Sequence, residues 1–490
     1  MAEQDLKAVA TTSVLWNGLQ KYTMLGISFI SSIILARLLT PYDYGCIGML
    51  EIFIAIFTIM IDGGFGSALL QKKRPTQEDY STIFYWNLAM SSVMYLLLFI
   101  AAPFIAKFYE IPLLASVLRV QGIVLFINAL KMIQSNILRK NFRFKPMAIV
   151  VTSSSIVSIL VTIIMAYYGC GVWSLVAQNL LISFLPMVAF WLITKWKPLL
   201  IFSKKSFKEL FSFGGFMFLT EVIDTLSINL QGLLIGRVYN PATMGYYAKA
   251  KTTESLVSNG ISQVVSTVTY QLYAEVQDDF TMLINFLKRI TTTLAYVTFP
   301  LIISLMILAK PLFIILYSDR WLPSVPYFQI LAVAGFAICL QTVSIQAIAA
   351  IGKSKTMFTW TLIKRSLGIL LIVGGLASFG MTGLLVGMVL NSWIAFFINS
   401  WLVSKHIGYQ MSVQIMDLLP IFILAITSFG LSYLTGLFVN VNLYVDSLAK
   451  YLVFMVLYFT TSYFLKLDAF AYCKSFIPVF VNKIKKKKQL

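Results

Sequence analysis

The chain of 490 residues is 59% hydrophobic and only 12% charged, about half the charge fraction of a typical soluble protein. Apolar runs of twenty or so residues recur without period-two alternation, which excludes a soluble domain and an outer-membrane barrel and predicts an all-α polytopic membrane protein. A net charge of +19 would suggest nucleic acid in a soluble protein, but here the cations sit between apolar segments, and no nucleic-acid partner is expected.

The first apolar segment, near 12–38, is too long for a signal peptide and lacks a cleavage pattern, so it is read as the first span. Further segments fall near 45–70, 82–106, 114–138, 148–168, 172–195, 211–236, 246–270, 285–309, 326–350, 357–378, 382–404, 414–436 and 447–467, about fourteen transmembrane helices in all. The loops alternate in charge. Lys72, Lys73 and Arg74 follow the second span, Arg139, Lys140, Arg143 and Lys145 the fourth, and Lys195, Lys197, Lys204, Lys205 and Lys208 the sixth. With roughly 24 Lys and Arg on one side against roughly 8 on the other, the positive-inside rule places both termini in the cytoplasm. The end of the chain, with Lys485 to Lys488 behind an aromatic-rich stretch, reads as an interfacial anchor on anionic membrane lipid.

One motif appears twice. LARLLTPYDYG, Leu35 to Gly45, returns two hundred residues later as IGRVYNPATMG, Ile235 to Gly245, with Arg37, Pro41 and Gly45 matching Arg237, Pro241 and Gly245. Thr40 and Asn240 are good N-caps and proline suits the first helical position, so each copy is the turn of a helical hairpin. Thr40 and Asp43 also read as a capping box, and the second copy has Thr243 in place of that acid. The arginines suit a helix C-terminus, where the dipole favours a cation, or the mouth of a pathway. The duplication predicts two pseudo-symmetric six-helix lobes, helices 1–6 over 7–202 and helices 7–12 over 203–405, followed by helices 13–14 over 406–468 and a basic cytoplasmic tail over 469–490. Six is even, so the lobes are related by an axis along the membrane normal.

Intramembrane polar groups are costly, and the faces they occupy mark where water or substrate passes. Asn17, Gln20, Lys21, Ser28, Ser31 and Ser32 share a face of span 1, and Glu51, Thr58, Asp62 and Gly66 a face of span 2. Span 4 aligns Gln121, Asn128, Lys131 and Ser135, with Arg119 pointing elsewhere. Span 7 groups Glu221, Asp224, Thr225 and Gln231, span 8 carries Lys251, Glu254, Ser255, Ser258 and Ser262, and span 11 brings Lys364 and Arg365. Structural interhelical contacts and snorkelling are the alternatives at each position. Together the stripes predict a hydrated cleft. Lys21, Lys131, Lys251, Lys364 and Arg365 are its candidate substrate-binding cations, suited to a diphosphate. Glu51, Asp62, Glu221, Asp224 and Glu254 are candidate gate or ion-coupling acids, able to pair with those cations or to bind Na⁺ or H⁺. At the offset of 200, Lys21 corresponds to Glu221 and Glu51 to Lys251, a charge inversion that suggests alternately formed pairs; Lys21 with Asp62 and Lys251 with Glu254 are the within-lobe alternatives. The four cysteines are scattered, and neither a metal site nor a cofactor is expected. Loops without large polar structure describe a transporter better than an enzyme.

The hairpin LARLLTPYDYGCIGML, the later GSALLQ at 66–71 and the repeated six-plus-six plan resemble the polysaccharide-transport branch of the multidrug/oligosaccharidyl-lipid/polysaccharide exporter superfamily, with its O-antigen and colanic-acid flippases. That resemblance implies a multi-pass bacterial inner-membrane flippase. It would turn undecaprenyl-diphosphate-linked oligosaccharide between leaflets by alternating access of two lobes, with a glycan polymerase as a candidate partner. The alternatives are a cation-coupled multidrug exporter of the same fold, whose cavity should be apolar and acidic, and a membrane glycan polymerase or scaffold.

Overall fold

The computed structural model describes residues 3–434 and 442–473. The lysine run at 485–488 lies outside them. The chain divides into two compact units, Met1–Ala248 and Lys249–Leu490. The described residues are helical apart from short connections.

The first unit holds α1 (Glu3–Leu38), α2 (Pro41–Asp62), α3 (Phe65–Gln71), α4 (Gln77–Phe108), α5 (Leu113–Gln121), α6 (Ile123–Lys140), α7 (Phe144–Tyr167), α8 (Val172–Thr194), α9 (Lys204–Val238) and the start of α10 (Pro241–Glu275). In the second are the rest of α10, α11 (Phe280–Ile307), α12 (Ala309–Tyr317), α13 (Ser324–Ala350), α14 (Ser354–Ile407), α15 (Met411–Leu434) and α16 (Leu443–Phe464). Twelve helices among the described residues are long and apolar enough to cross a membrane. The expected fourteen differ from that number in two places. Spans 11 and 12 both belong to α14, whose helix breaks at Phe379 and Gly380. Its arms fold back so closely that a Cβ on Gly375 would meet the Gly383 carbonyl and one on Gly387 the Leu371 carbonyl. The eighth span is α10, too rich in Lys, Thr, Ser and Gln to count as an apolar helix. Two further boundaries are corrected. Span 4 is two helices, α5 and α6, meeting at Gly122, and the span expected over 382–404 runs on to Ile407, with His406 half-buried in the last turn of α14.

Both copies of the repeated motif form the hairpin turn expected of them. The Thr40 hydroxyl accepts from the Asp43 amide while the Asp43 carboxylate accepts from the Thr40 amide at 2.8 Å, a complete capping box ahead of Pro41. In the second copy Asn240 Oδ1 accepts from the Thr243 amide at 2.8 Å and from its hydroxyl at 3.0 Å, so the missing acid is replaced by the cap itself. Arg37 and Arg237 lie in the last turns of α1 and α9, where a cation suits the helix dipole. Arg237 adds an ion pair to Glu110 at 3.1 Å and stacks over Phe108.

The two turns pack against each other within the first unit. A Cβ on Gly45 would fall inside the carbonyl of Pro241, and a Cβ on Gly245 inside the carbonyl of Pro41. Each glycine is therefore the seat of the other copy's proline, a reciprocal contact that no larger residue permits. The approach continues along α2 and α9, where Gly232 faces the Gly48 backbone and Gly236 faces Met49 and Tyr109. The Tyr109 hydroxyl donates to the Met49 carbonyl at 3.3 Å and fixes the end of α4 to the same seam.

At the other end of α9, Gly64 and Gly214 make a similar backbone contact. Nearby, Lys72 sits 3.0 Å from buried Asp79 and 3.1 Å from Glu209, tying the start of α4 to the start of α9. Burial alone would lower the Lys72 pKa, but hydrogen bonds and charge from Asp79 and Glu209 outweigh it and raise the ammonium above its ordinary value. A raised lysine pKa stabilises fully below the unfolded value of about 10.5, and that contribution is lost as pH climbs past the folded value. Asp79→Asn keeps the shape of the cap on α4 and removes the charge. We expect it to lower stability by about 1–3 kcal/mol and to flatten the alkaline fall in melting temperature, measured by thermal unfolding in detergent.

Candidate functional site: a charged cavity in the first unit

A cavity of about 490 Å³ opens among α2, α3, α4, α6 and α9. Its charged lining is Asp62 from the end of α2, Lys131 and Arg139 from α6, and Glu221 from α9. Around them lie Thr58, Ser67, Asn87, Asn128, Ser135 and Asn136, and the remainder is apolar, from Ile59, Ile61, Leu70, Leu125 and Met132. Helical periodicity explains the α6 contribution, since Asn128, Lys131, Ser135 and Arg139 follow one another at spacings of three and four.

The chain holds Asp62 through the turn that follows it. Gly63 and Gly64 both have positive φ, ending α2 and starting α3, and the Asp62 carboxylate accepts from the Gly66 amide at 3.2 Å. A methyl on Gly66 would press on that carboxylate and on Met132, so Gly66 leaves room for both groups at the wall. Two buried amides carry unused capacity: Asn87 Oδ1 and Asn136 Nδ2 have no hydrogen-bond partner among the described residues, although Asn87 Nδ2 donates to the Met132 sulfur. Buried polar atoms are rarely left unpaired, and here the two flank Met132 on the cavity wall.

Of the residues singled out from sequence, the cavity gathers Lys131, Asp62 and Glu221, with Thr58, Asn128 and Ser135. Asp224, on the same face of α9, is half-buried and does not line it. Lys21 and Glu51 are exposed on α1 and α2, and Lys21 makes no ion pair with Glu221 or Asp62. Gln121 is buried in α5 and outside the cavity. Arg119 lies over the Phe99 ring at 4.3 Å and donates to the Phe99 carbonyl, away from the cavity.

The second unit holds the other candidates in separate networks. Lys251 pairs with Glu254 at 2.8 Å, one turn along its own helix, and Glu254 also accepts from Ser258 at 2.7 Å. Lys364 donates to Asn399 at 2.8 Å, and Asn399 in turn donates to Gln341 at 3.4 Å, while Arg365 is half-buried beside it. Three contributors escaped the sequence reading. Asn87 and Asn136 carry the signal of an amide inside an apolar span, and Arg139 lies in the last turn of α6, one residue beyond the apolar segment expected over 114–138. Lys249 is a fourth residue passed over. It is buried, with its ammonium 3.9 Å from the Tyr317 ring centroid, a cation–π contact that joins α10 to α12.

A wall with two cations, two acids, amides and hydroxyls can hold a phosphorylated, hydroxylated group while its apolar remainder meets hydrocarbon. Comparison with known proteins points the same way. The sequence pattern described as "Polysaccharide biosynthesis protein" matches residues 34–326, more than half of the chain. The chain is 25% identical to the teichuronic acid biosynthesis protein TuaB of Bacillus subtilis, over 77% of this chain and 79% of that one. It is 20% identical to the lipopolysaccharide biosynthesis protein WzxC of Escherichia coli, over 88% and 89% respectively. In three dimensions it is similar to the lipid II flippase MurJ in an inward closed conformation, with a TM-score of 0.74, 16% identity and coverage of 92% of this chain and 99% of that one. The likeness in structure establishes the fold.

Proposed function

The chain belongs to the polysaccharide biosynthesis protein family, and from that membership we propose that it is a flippase for lipid-linked oligosaccharide, a transporter rather than an enzyme. The substrate is an undecaprenyl-diphosphate-linked polysaccharide repeat unit, moved by alternating access across the bacterial inner membrane. The observation that carries the reading is Lys131 on the wall of a cavity inside a membrane-spanning bundle, with Arg139 on the same helix. A cation there is expensive unless it meets an anion, and a diphosphate offers several strong acceptor oxygens. Asn87, Asn128 and Asn136 provide donors and acceptors for sugar hydroxyls. Asp62 and Glu221 balance the two cations in number on the cavity wall and are the groups through which a Na⁺ or H⁺ gradient would act.

The test is a strain lacking the protein. It should accumulate complete lipid-linked repeat units on the cytoplasmic face and lose surface polysaccharide, and a plasmid copy should restore both. Accumulation of incomplete units would instead indicate a transferase, and complete units on the outer face a polymerase.

The orientation follows from the lysine and arginine asymmetry, with both termini and the loops at 71–80, 139–146 and 195–210 cytoplasmic. A reporter fused after Leu490 should be active only in its cytoplasmic form. Periplasmic activity there would reverse the proposed direction of transport.

A further inference from the structure

The second unit contains a cavity of about 530 Å³ that the transport reading does not use. It lies where α11 and α15 begin and α16 has just ended, so its mouth is at one end of three mutually packed membrane helices, at the depth of lipid headgroups. Its floor is apolar, with Phe286, Ile421 and Leu467. Four charges line it, and they divide into two pairs of different kinds. Lys288 and Asp417 are bonded to each other at 2.7 Å, and the second Asp417 oxygen accepts from the Tyr409 hydroxyl at 2.6 Å. That pair is internally satisfied.

Arg289 and Asp468 are not. The Arg289 guanidinium rests on the Tyr472 ring, its central carbon 4.4 Å from the centroid, and no hydrogen bond or ion pair to a described residue uses its N–H groups. Asp468 likewise has no hydrogen bond or ion pair with a described residue. One cavity therefore offers a planar, pre-oriented set of donors and a separate carboxylate that no described residue engages, with no net charge between them and an apolar floor below.

We infer that this cavity binds the headgroup of a zwitterionic aminophospholipid, phosphatidylethanolamine being the simplest, with its phosphate on Arg289 and its ammonium on Asp468. A guanidinium suits a phosphate oxygen pair, and a primary ammonium can donate to a carboxylate. The acyl chains run down the apolar floor toward the bilayer. An anionic headgroup would meet Arg289 but leave Asp468 unanswered, and a quaternary ammonium has no N–H to give it. The inference needs only a membrane-embedded chain and stands apart from the identity of the transported substrate.

Native mass spectrometry of the purified full-length protein tests it, with phosphatidylethanolamine, phosphatidylcholine and phosphatidylglycerol of matched acyl chains supplied in equal amounts. The parent should retain phosphatidylethanolamine several-fold over the other two. Asp468→Asn should bring it down to the phosphatidylcholine level and leave phosphatidylglycerol no weaker, while Asp468→Glu keeps the preference and controls for folding. Arg289→Gln should weaken all three. Soluble glycerophosphoethanolamine, which lacks acyl chains, should not displace the lipid at equal concentration. Equal retention of the three lipids by the parent, an unchanged preference in Asp468→Asn, or displacement by the soluble headgroup would each overturn the assignment.

Discussion

Gly45→Ala should reduce glycan export about 5- to 150-fold while the protein still reaches the membrane. The methyl group would fall inside the Pro241 carbonyl, a backbone atom with no flexible side chain to yield. Forcing extra volume into a tight contact costs about 1–3 kcal/mol. The two turns meet where α2 starts and α9 ends in this structure, and the alternating access proposed above would need such a contact to form and to part. A cost carried by one state only shifts its population by the same free energy, about 5- to 150-fold. Gly245→Ala should reproduce the defect, because its methyl would strike the Pro41 carbonyl in the same way. Gly26→Ala, with nothing within 4 Å, should export normally and serves as the control. Export measured as surface polysaccharide, normalised to membrane protein level, checks all three. Parental export by Gly45→Ala would remove the hairpin contact from the working cycle.

Lys131→Ala should be comparably damaging for a different reason. Lys131 lines the cavity in the middle of α6, and a charge-assisted hydrogen bond to a phosphate is worth about 1.5–3 kcal/mol, or about 10- to 150-fold in binding. Lys131→Arg keeps the charge and should retain part of the activity. Arg119→Ala should do much less harm, since Arg119 is occupied by the Phe99 ring and carbonyl outside the cavity. Equal export by Lys131→Ala and the parent would take the residue out of the site.

Much of this was legible in the chain because it rests on local rules. The hairpins declared themselves through a cap, a proline and a glycine at fixed spacing, and the cavity face of α6 through a three-and-four repeat. What the residues at 41, 45, 241 and 245 could not show was that each glycine receives the other turn's proline. That contact joins positions two hundred residues apart, and no periodicity encodes it. Nor could a polar stripe say whether its charges meet a cleft or one another. Lys251 and Lys131 look alike in sequence, yet one pairs with Glu254 a turn away and the other lines a cavity. The break at Phe379 and Gly380 falls in the gap between the expected spans 357–378 and 382–404, whereas the split of span 4 at Gly122 was hidden because a single residue joins the two helices.

Transport itself can be measured with the purified protein in vesicles carrying an undecaprenyl-diphosphate-linked repeat unit in the inner leaflet, by the rate at which its sugars become accessible to an impermeant lectin or glycosidase outside. The parent should speed exposure well above protein-free vesicles, and Lys131→Ala should return it close to that background. Exposure at the protein-free rate with the parent, under a Na⁺ gradient, a H⁺ gradient or neither, would contradict a flippase.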